Sequence, residues 1–389
     1  METEGGQGSQ RKRVLELARL FVRLGATAFG GPAAHVAMMR DEVVVRLRWI
    51  TEQEFLDLLG ATNLIPGPNS TEMAIHIGLI RARWKGLLAA GISFILPAML
   101  IVLALAWAYV RYGTTPVGDA LLYGIEPVVI AIVLIAVLRL GRTAVKQSPL
   151  LIVTGLASLV LYLFGVNELI LLGGAGLVVL VVKAASRLRP GRSQSIAPLL
   201  VGALLPATAG AQQSSVELWR LFLQFLKFGA VVYGGGYVLF AFLQGDLVDR
   251  LGWITNQQLV DALAVGQITP GPVFTTATFI GYLVGGIGGA IVATVAIFLP
   301  AFVFVGLLQP LVLLMRRSTW AGDLLDGVNV GAVGLMAGVL WQLGRQAIVD
   351  VPTALLALGA AAILFRFTLN SGWLILAGAV FGLLVSAVR

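Results

Sequence analysis

The chain has 389 residues, of which 58% are hydrophobic and 12% are charged, with a mean hydropathy of +0.92. A soluble domain carries about 25% charged residues, so this chain has too little polar surface to cover a globule in water. The apolar runs over 86–110 and 117–138 have the length needed to cross a bilayer, and they lack the alternation of an outer-membrane barrel. The composition therefore predicts an all-α integral membrane protein.

Charge and ligand-forming side chains narrow the classes of function. The formal net charge of +8 indicates Lys and Arg collected in cytoplasmic loops of a membrane protein rather than nucleic-acid binding. Because the chain has no cysteine, disulfides, Fe–S clusters and Cys-ligated zinc are excluded. Two histidines, His35 and His76, are too few for a histidine-rich metal site. We expect no metal, no cofactor and no nucleic-acid partner.

The predicted elements fall into two similar halves. A polar tail over residues 1–13 is predicted to be disordered, and the first half then contains six segments that we interpret as membrane helices. These segments cover 14–39, 53–80, 86–110, 117–138, 149–165 and 168–184. A basic linker over residues 185–215 leads to six more segments. These cover 216–243, 257–284, 286–314, 322–342, 352–366 and 371–388.

The two halves are copies of one repeat, expected over residues 14–184 and 216–389. Residues 21–72 align with residues 225–276 without a gap, at a constant offset of 204 residues. Identical positions include Gly25 and Gly229, Trp49 and Trp253, Asp57 and Asp261, Pro66 and Pro270, and Gly67 and Gly271. An internal duplication in a very apolar chain is typical of secondary transporters, whose substrate site lies between the repeats.

The basic loops differ between the repeats. In the first repeat, Arg83, Arg142 and Arg187 follow the second, fourth and sixth segments, whereas Arg316 and Arg366 follow the third and fifth segments of the second repeat. Because Lys and Arg collect on the cytoplasmic side, this shift predicts that the second repeat is inverted in the membrane.

Inversion places a requirement on the short apolar segment 196–210 in the linker. Equivalent points of two inverted repeats are separated by an odd number of crossings, so we expect this segment to cross despite its marginal length. The chain would then contain thirteen membrane segments, one more than the twelve of the repeats, with its C-terminus outside. Four arginines would lie outside, against the rule, namely Arg40, Arg46, Arg48 and Arg345.

The sharpest motif is Pro66-Gly67-Pro68, which recurs as Pro270-Gly271-Pro272 inside an equivalent apolar segment. Two prolines around a glycine prevent a continuous helix, and a broken backbone at membrane depth must be buried in protein or line a watery cavity. The polar residues after the first copy resemble a new helix start, whose amides and positive dipole end suit an anion. A structural kink that touches no substrate is the alternative. The candidate substrate-binding residues here are Asn63, Pro66, Gly67, Pro68, Asn69, Ser70, Thr71, Gln267, Pro270, Gly271, Pro272, Thr275 and Thr276.

A glycine turn and a cation also recur in the first segment of each repeat. Phe29-Gly30-Gly31-Pro32 returns as Tyr233-Gly234-Gly235-Gly236, where glycine permits a broken helix or tight helix packing. Arg23 and Lys227 lie about two helical turns before these glycines. A cation inside the membrane suggests function, and snorkelling to the headgroups is the alternative. The substrate-binding candidates in this group are Arg23, Gly30, Gly31, Lys227, Gly234 and Gly235.

Acidic residues form the last group of candidates. Glu72 follows the first Pro-Gly-Pro motif, His76 lies one helical turn later, and Glu126 lies in the fourth segment. A carboxylate and a histidine in a membrane could relay protons, so we assign these three to a proton relay. For Asp57 and Asp261, which open the second segments of the two repeats, we favour helix capping at the interface.

The motifs of the first repeat resemble the chromate ion transporter family. The resemblance rests on Phe29–His35, Met39–Val43, Trp49, Thr62–His76 and Phe94–Ala98, and it extends over nearly the whole chain. It implies a prokaryotic exporter of chromate in the cytoplasmic membrane that confers chromate resistance and uses the proton-motive force. It also brings His35 into the candidate binding set. The second repeat matches less closely, since His35 is replaced there by Leu239.

Residues and resemblance together predict a non-enzymatic transporter that carries a tetrahedral oxyanion between the two Pro-Gly-Pro motifs. Chromate is the implied substrate, and sulfate or another oxyanion is the alternative. A passive anion channel would use the same pore, whereas a membrane enzyme lacks a nucleophile–base pair. The expected partners are the oxyanion and the lipid bilayer, with a homodimer left open.

Overall fold

The computed structural model describes residues 3–29, 31–63, 65–113, 115–188, 216–233, 236, 238–315, 319–367 and 371–388. Every regular element within these ranges is helical. The first repeat contains α1 (Thr3–Thr27), α2 (Gly31–Arg40), α3 (Glu52–Thr62), α4 (Asn69–Tyr112), α5 (Pro116–Val145), α6 (Pro149–Leu163) and α7 (Glu168–Leu188). The second contains α8 (Leu218–Val231), α9 (Val238–Phe242), α10 (Asn256–Ile268), α11 (Thr276–Met315), α12 (Thr319–Ala347), α13 (Val351–Arg366) and α14 (Ser371–Val388).

The helices of the two repeats correspond one to one, and so do their π-helical turns, whereas a 3₁₀ turn is described only in the second repeat. α2 and α9 each continue into π-helical turns, over Asp41–Arg46 and Leu243–Arg250, and a 3₁₀ turn at Val273–Thr275 precedes α11. α3 and α10 each begin with a capping box in which a threonine, Thr51 or Thr255, accepts a hydrogen bond from a backbone amide. Threonine therefore caps these helices, and the capping role predicted for Asp57 and Asp261 is wrong.

α4 and α11 are not straight helices. Each is interrupted by two residues with the same non-helical conformation, Ala82 and Arg83 in α4 and Gly285 and Gly286 in α11. The arms on either side of each break fold back on one another, which in α11 brings Thr278 Oγ1 to 2.7 Å from Thr294 Oγ1. We name the arms α4a (69–82), α4b (83–112), α11a (276–285) and α11b (286–315).

The predicted segments 14–39 and 53–80 do not each form one membrane helix, which corrects the sequence analysis. Between α1 and α2 the chain turns at Gly31, whose φ is +76°, and α3 ends before Pro66. The chain then returns to the end from which it started, because Arg81 of α4a bonds Glu16 of α1 at 3.2 Å and stacks on Trp49 at 4.8 Å.

This end of the bundle, called the basic end, contains three of the arginines that sequence analysis assigned to the outside. Arg48 precedes Trp49, Arg46 pairs with Glu42, and Arg40 pairs with Glu52 at the start of α3. Since Trp49 contacts Arg81, these arginines lie on the same side as Arg81. They no longer disagree with the positive-inside rule.

Equivalent long helices run in opposite directions where they meet. A Cβ atom at Gly91 of α4b would contact Phe302 of α11b, while one at Gly306 would contact Trp84, so the residue order is reversed. α5 and α12 show the same reversal, with Gly141 facing Val333 and Gly344 facing Ile130.

The last two helices of each repeat pack against the other repeat. α6 and α7 lie against α12, and α13 and α14 lie against α5. Small residues permit close approach, since the backbones of Gly124 and Gly378 are in contact, as are those of Ala175 and Gly327. The repeats are therefore interlocked rather than side by side.

The described chain leaves the first repeat at one end of the bundle and enters the second at the other. At the basic end, Lys183 and Arg187 of α7 bond Asp323 at 3.1 and 2.7 Å. α8 begins at Leu218, which faces Gly285 at the break in α11, at the opposite end. The predicted linker segment 196–210 lies outside the described residues.

Five of the described helices are long and apolar enough to cross a membrane. They are Asn69–Tyr112, Pro116–Val145, Glu168–Arg187, Val273–Leu307 and Thr319–Ala347.

At the N-terminus, α1 already begins at Thr3, so the disordered tail predicted over residues 1–13 is wrong from residue 3 onward. The Gln, Lys and Arg residues over 10–13 favour a helix continuous with the apolar part of α1, whereas Gly5, Gly6 and Gly8 disfavour one.

Candidate functional site

The two Pro-Gly-Pro motifs are held by the opposite repeat. The amide of Gly67 donates to the carbonyl oxygen of Val232 at 2.8 Å, and the amide of Gly271 donates to that of Ala28 at 2.9 Å. These acceptors follow the C-terminal ends of α8 and α1, so the two hydrogen bonds form a crossed pair. In a continuous helix, these two amides would donate to carbonyls of the same helix. Here the opposite repeat supplies the acceptors.

A helix begins immediately after each motif. α4a begins at Asn69, where the amides of Thr71 and Glu72 turn back to the Pro68 carbonyl at 2.8 and 3.0 Å. After the second motif, the amide of Thr275 bonds the Pro272 carbonyl at 3.0 Å. Two helix N-termini, which have amides without an intrahelical acceptor and a positive dipole end, therefore arise within the interlocked region.

Both central glycines have a backbone conformation that favours glycine. The φ of Gly67 is +137° and that of Gly271 is +91°. A Cβ atom on Gly271 would lie 2.8 Å from Ala98 Cβ and 2.9 Å from the Gly25 carbonyl oxygen. On Gly67 it would collide with the carboxyl group of Glu72. Close packing thus constrains both motifs.

The surroundings of the motifs are not equivalent. Near the first motif, Asn63 is exposed and Asn69 is half-buried, and the Asn69 amide donates to Asn63 Oδ1 at 3.0 Å. The hydroxyl of Tyr233 from the other repeat donates to the Asn63 carbonyl. Near the second motif, by contrast, all residues over 269–281 are buried. Polar side chains with accessible surface thus lie beside the first motif, whereas the second motif is enclosed.

Several polar side chains are buried near the motifs without a hydrogen-bond partner in the described part of the chain. Both carboxyl oxygens of Glu72, both ring nitrogens of His76 and the Thr71 hydroxyl belong to this group, and all three residues are completely buried. The side-chain nitrogen of Gln267 joins them. Because an unsatisfied buried polar group costs about 1–3 kcal/mol, such a concentration indicates a site for a polar ligand or for protons.

The remaining predicted residues of this region are hydrogen-bonded within the chain, form part of a helix start, or lie outside the described residues. Thr275 and Thr276 donate their hydroxyls to the carbonyls of Pro272 and Val273. Ser70 is buried in the first turn of α4a, and Gly31 begins α2. Gly30, Gly234 and Gly235 lie outside the described residues.

His35 does not face the exposed asparagines. Its Nε2 atom lies 3.0 Å from the Ala28 carbonyl, the acceptor of one crossed hydrogen bond, and its ring packs edge-on against Phe94 at 5.8 Å. The side chain therefore packs against the end of α1 beside the second Pro-Gly-Pro motif and contacts the Ala28 carbonyl there.

The predicted intramembrane cations each have a carboxylate partner. Arg23 contacts Glu42 at 2.5 Å, and Lys227 contacts Asp246 at 2.5 Å. Arg46 and Arg250 pair with the same two carboxylates. Each repeat thus contains a cation–carboxylate–cation arrangement that links its first helix to the π-helical turn, so Arg23 and Lys227 already have their charges offset.

Glu126 belongs to a second polar cluster, which sequence analysis did not assemble. Gln257 Nε2 donates to Glu126 at 2.5 Å and lies 3.4 Å from Asp261, and the Tyr109 hydroxyl donates to Asp261 at 2.6 Å. Asp261 is completely buried, whereas its equivalent Asp57 is exposed. The sequence signal was the acid retained at both positions, but only the folded chain brings α4b, α5 and α10 together.

A third polar region is an open cavity of about 530 Å³ at the end opposite the basic end. It is lined by Leu163, Gln244, Asp249, Asn256, Trp341, Gln342, Arg345 and Gln346. For metals, the described residues contain no group of three or more His, Asp or Glu side chains that could hold an ion.

This architecture defines a class of protein. An apolar helical bundle built from two repeats, with broken helices and buried polar groups between them, is the arrangement of a membrane transporter. A family model described as chromate transporter matches residues 15–180 and 219–383. The chain belongs to the chromate transporter family.

Relatives extend over almost the full chain. A chromate transport protein of Cupriavidus metallidurans is 37% identical over 370 residues, which cover 94% of this chain and 91% of the relative. A chromate transport protein of Pseudomonas aeruginosa is 34% identical over 390 residues, covering 95% and 92%. A probable chromate transport protein of Synechococcus elongatus is 35% identical, covering 88% of each. No solved structure matches the chain.

We predict that Gly271→Ala lowers the thermal stability of the purified protein more than Gly165→Ala. Both glycines have positive φ, but a Cβ atom at Gly165 meets nothing within 4 Å, so that variant isolates backbone strain. Gly271→Ala adds overpacking of about 1–3 kcal/mol. Unfolding measured in detergent by size-exclusion chromatography after heating compares the two. Equal losses would show that the close packing beside the second motif contributes nothing.

Proposed function

We propose that this protein exports chromate across the cytoplasmic membrane of a prokaryote and thereby confers chromate resistance. The observation that carries the proposal is the crossed pair of Pro-Gly-Pro motifs, with two helix N-termini and unpartnered polar groups buried beside it. Family membership and the printed function of the relatives support chromate as the substrate.

The oxyanion binds at the first motif rather than equally at both. Asn63 and Asn69 offer side-chain amides there, and the N-terminus of α4a offers backbone amides and a positive dipole end. The second motif is buried and apolar, since Val273 and Phe274 replace Asn69 and Ser70. It supports the site through the crossed hydrogen bond from Gly271.

Protons enter the mechanism through Glu72. Its carboxyl group lies beside Gly67 and has no cation partner in the described chain, so a bound anion and an ionised Glu72 would repel each other. Substrate binding then requires a protonated Glu72, and His76, one turn along α4a, exchanges that proton. Glu126, with Asp261 and Tyr109 beside it, provides a further position for the proton in the other half of the bundle.

The second repeat is inverted relative to the first. The reversed directions of α4b and α11b, and of α5 and α12, support this arrangement. The concentration of Arg81, Arg83 and Lys85 and of other cations at the basic end makes that end cytoplasmic. The linker 189–215 then joins opposite faces, which requires its apolar segment 196–210 to cross.

Export also fits the membrane potential. A dianion leaving a cell with a negative interior gains about 2.3 kcal/mol per charge for each 100 mV. A passive channel would exploit the same gain, but the buried titratable groups favour a transporter coupled to protons.

We predict that everted vesicles containing the protein take up radiolabelled chromate. Asn69→Ala should reduce the initial rate about tenfold or more by removing an amide at the site, whereas Val273→Ala, at the equivalent position, should leave it nearly unchanged. Sulfate as competitor tests the alternative oxyanion. Stronger uptake of sulfate than of chromate would reassign the substrate, and equal effects of both variants would contradict binding at the first motif.

The proton prediction concerns the pH dependence of that flux. Glu72→Gln, His76→Gln and Glu126→Gln should each flatten the pH profile, because each removes a group that exchanges protons. Asp57→Asn, at the exposed equivalent of Asp261, is the matched control and should keep the wild-type profile. If all four variants reach the membrane and keep the wild-type pH profile, these residues do not exchange protons during transport. Export would then be driven by the membrane potential alone.

The topology prediction uses the absence of cysteine from the chain. Single cysteines at Arg83 and Arg220 should label from opposite sides with an impermeant thiol reagent in intact cells. Only Arg220→Cys should react from outside. Labelling of both from the same side would mean that the repeats are parallel.

A further inference from the structure

Three arginines at the basic end gather where the two repeats meet. Arg139 and Arg142 belong to the last two turns of α5, and Arg366 ends α13 of the other repeat. Arg139 Nη2 donates to the Leu364 carbonyl at 3.0 Å, and the Arg142 guanidinium lies 5.7 Å from the centre of the Phe365 ring. These contacts place the three arginines, called the arginine cluster, at the C-terminal end of α13.

The arginine cluster has no acidic partner within the described residues. All three of its side chains are exposed. Other cations of the basic end differ, since Lys146, Lys183 and Arg187 each bond Asp323 or Asp326 at 3.1 Å or less. The positive-inside rule accounts for the number of cations at this end, but not for three unpaired ones around a single helix end. The cluster therefore presents a positive charge that an anion from outside the chain can offset.

Exposed apolar side chains lead from the arginine cluster along both helices. On α5, Leu138 and Leu134 lie four and eight residues before Arg142, so the three residues share one helical face, and both leucines are exposed. On α13, Leu358 and Phe365 lie two helical turns apart and are 68% and 65% exposed. The accessible surface thus changes from apolar to cationic along both helices. A phospholipid has the complementary profile, with apolar acyl chains below a charged headgroup.

The equivalent positions at the opposite end carry less charge. In these later helices the repeats are related by a constant offset of 203 residues. The positions equivalent to the arginine cluster are therefore Gln342, Arg345 and Leu163, which line the open cavity at the opposite end. One place in the duplicated fold thus holds three cations at the basic end and a single cation at the other. Only the basic end has the charge expected of a site for an anionic headgroup.

We propose that the surface between α5 and α13 at the basic end binds an anionic phospholipid, with the lipid phosphate held by the arginine cluster. The ligand is a phosphodiester lipid with a net negative charge, such as phosphatidylglycerol. Guanidinium groups donate to phosphate oxygens, and Arg139 uses only one of its five N–H donors for the Leu364 carbonyl. The proposed function enters at one step. If the basic end is cytoplasmic, the lipid comes from the inner leaflet, whose anionic lipids attract basic groups next to membrane helices.

A lipid at this surface would join the two repeats. α5 belongs to the first repeat and α13 to the second, and the two helices pack against each other. The lipid phosphate would also offset the mutual repulsion of three neighbouring guanidinium groups. We therefore expect bound anionic lipid to stabilise the interlocked repeats, in addition to occupying the site.

The test is native mass spectrometry of the purified full chain, titrated in neutral detergent with phosphatidylglycerol or phosphatidylcholine. The wild-type chain should bind the first phosphatidylglycerol about tenfold or more tightly than the first phosphatidylcholine. The double variant Arg142→Gln, Arg366→Gln should lose most of this preference. It leaves Arg139 in place, because the hydrogen bond to Leu364 also holds α13. Arg345→Gln, at the position equivalent to Arg142, is the matched control and should bind phosphatidylglycerol like wild type.

A second measurement is thermal unfolding, followed by size-exclusion chromatography after heating. Phosphatidylglycerol should raise the unfolding temperature of the wild type and of the control more than phosphatidylcholine does, and the double variant should lose this difference. Inorganic phosphate tests for a site that takes any small anion, and it should not displace the bound lipid.

The lipid site is wrong if the two lipids bind the wild-type chain equally, if the double variant keeps the preference, or if inorganic phosphate displaces phosphatidylglycerol. The comparison of the two lipids on wild-type protein needs no variant, so a folding defect in the double variant would not prevent the test. Chromate uptake and cysteine labelling do not depend on this lipid. They therefore distinguish a failure of the lipid site from a failure of the proposed function or topology.

Discussion

The crossed pair of hydrogen bonds between the repeats is the interaction on which the rest of the structure depends. Each Pro-Gly-Pro motif ends a helix inside an apolar bundle, where freed backbone groups cannot turn to water. Gly67 and Gly271 solve this by donating to Val232 and Ala28 of the opposite repeats. The central amide of each motif is thus satisfied by the opposite repeat, which ties the two halves together.

The crossed pair also explains why glycine occupies both centres. A side chain at either position would meet packed atoms, and the positive φ values already favour glycine. The same backbone turns bring two helix N-termini into the interior. The positive ends of two helix dipoles therefore lie in this region. A transporter of anions can use such a region without burying a free cation. Arg23 and Lys227, the apparent free cations, are instead bound to Glu42 and Asp246.

The two repeats share a backbone arrangement but differ in their titratable side chains. Glu72 and His76 have no titratable equivalents in the second repeat, where Thr276 and Ile280 stand. Asp261 is buried against Tyr109 and Gln257, whereas its equivalent Asp57 is exposed. The backbone arrangement is thus shared, while the polar groups differ on the two sides of the bundle.

The sequence by itself determined the membrane class and the duplication, because composition and repeated motifs do not depend on which segments meet in the fold. It also singled out Gly67 and Glu72, which are neighbours in the folded chain. Only the tertiary structure decided the direction of the chain after each break, so that segments 14–39 and 53–80 each divide into two helices. It also decided the partners of Arg23 and Asp261. A break in a helix is encoded by its own residues, but the group that satisfies it comes from a helix about two hundred residues away, which local patterns cannot specify.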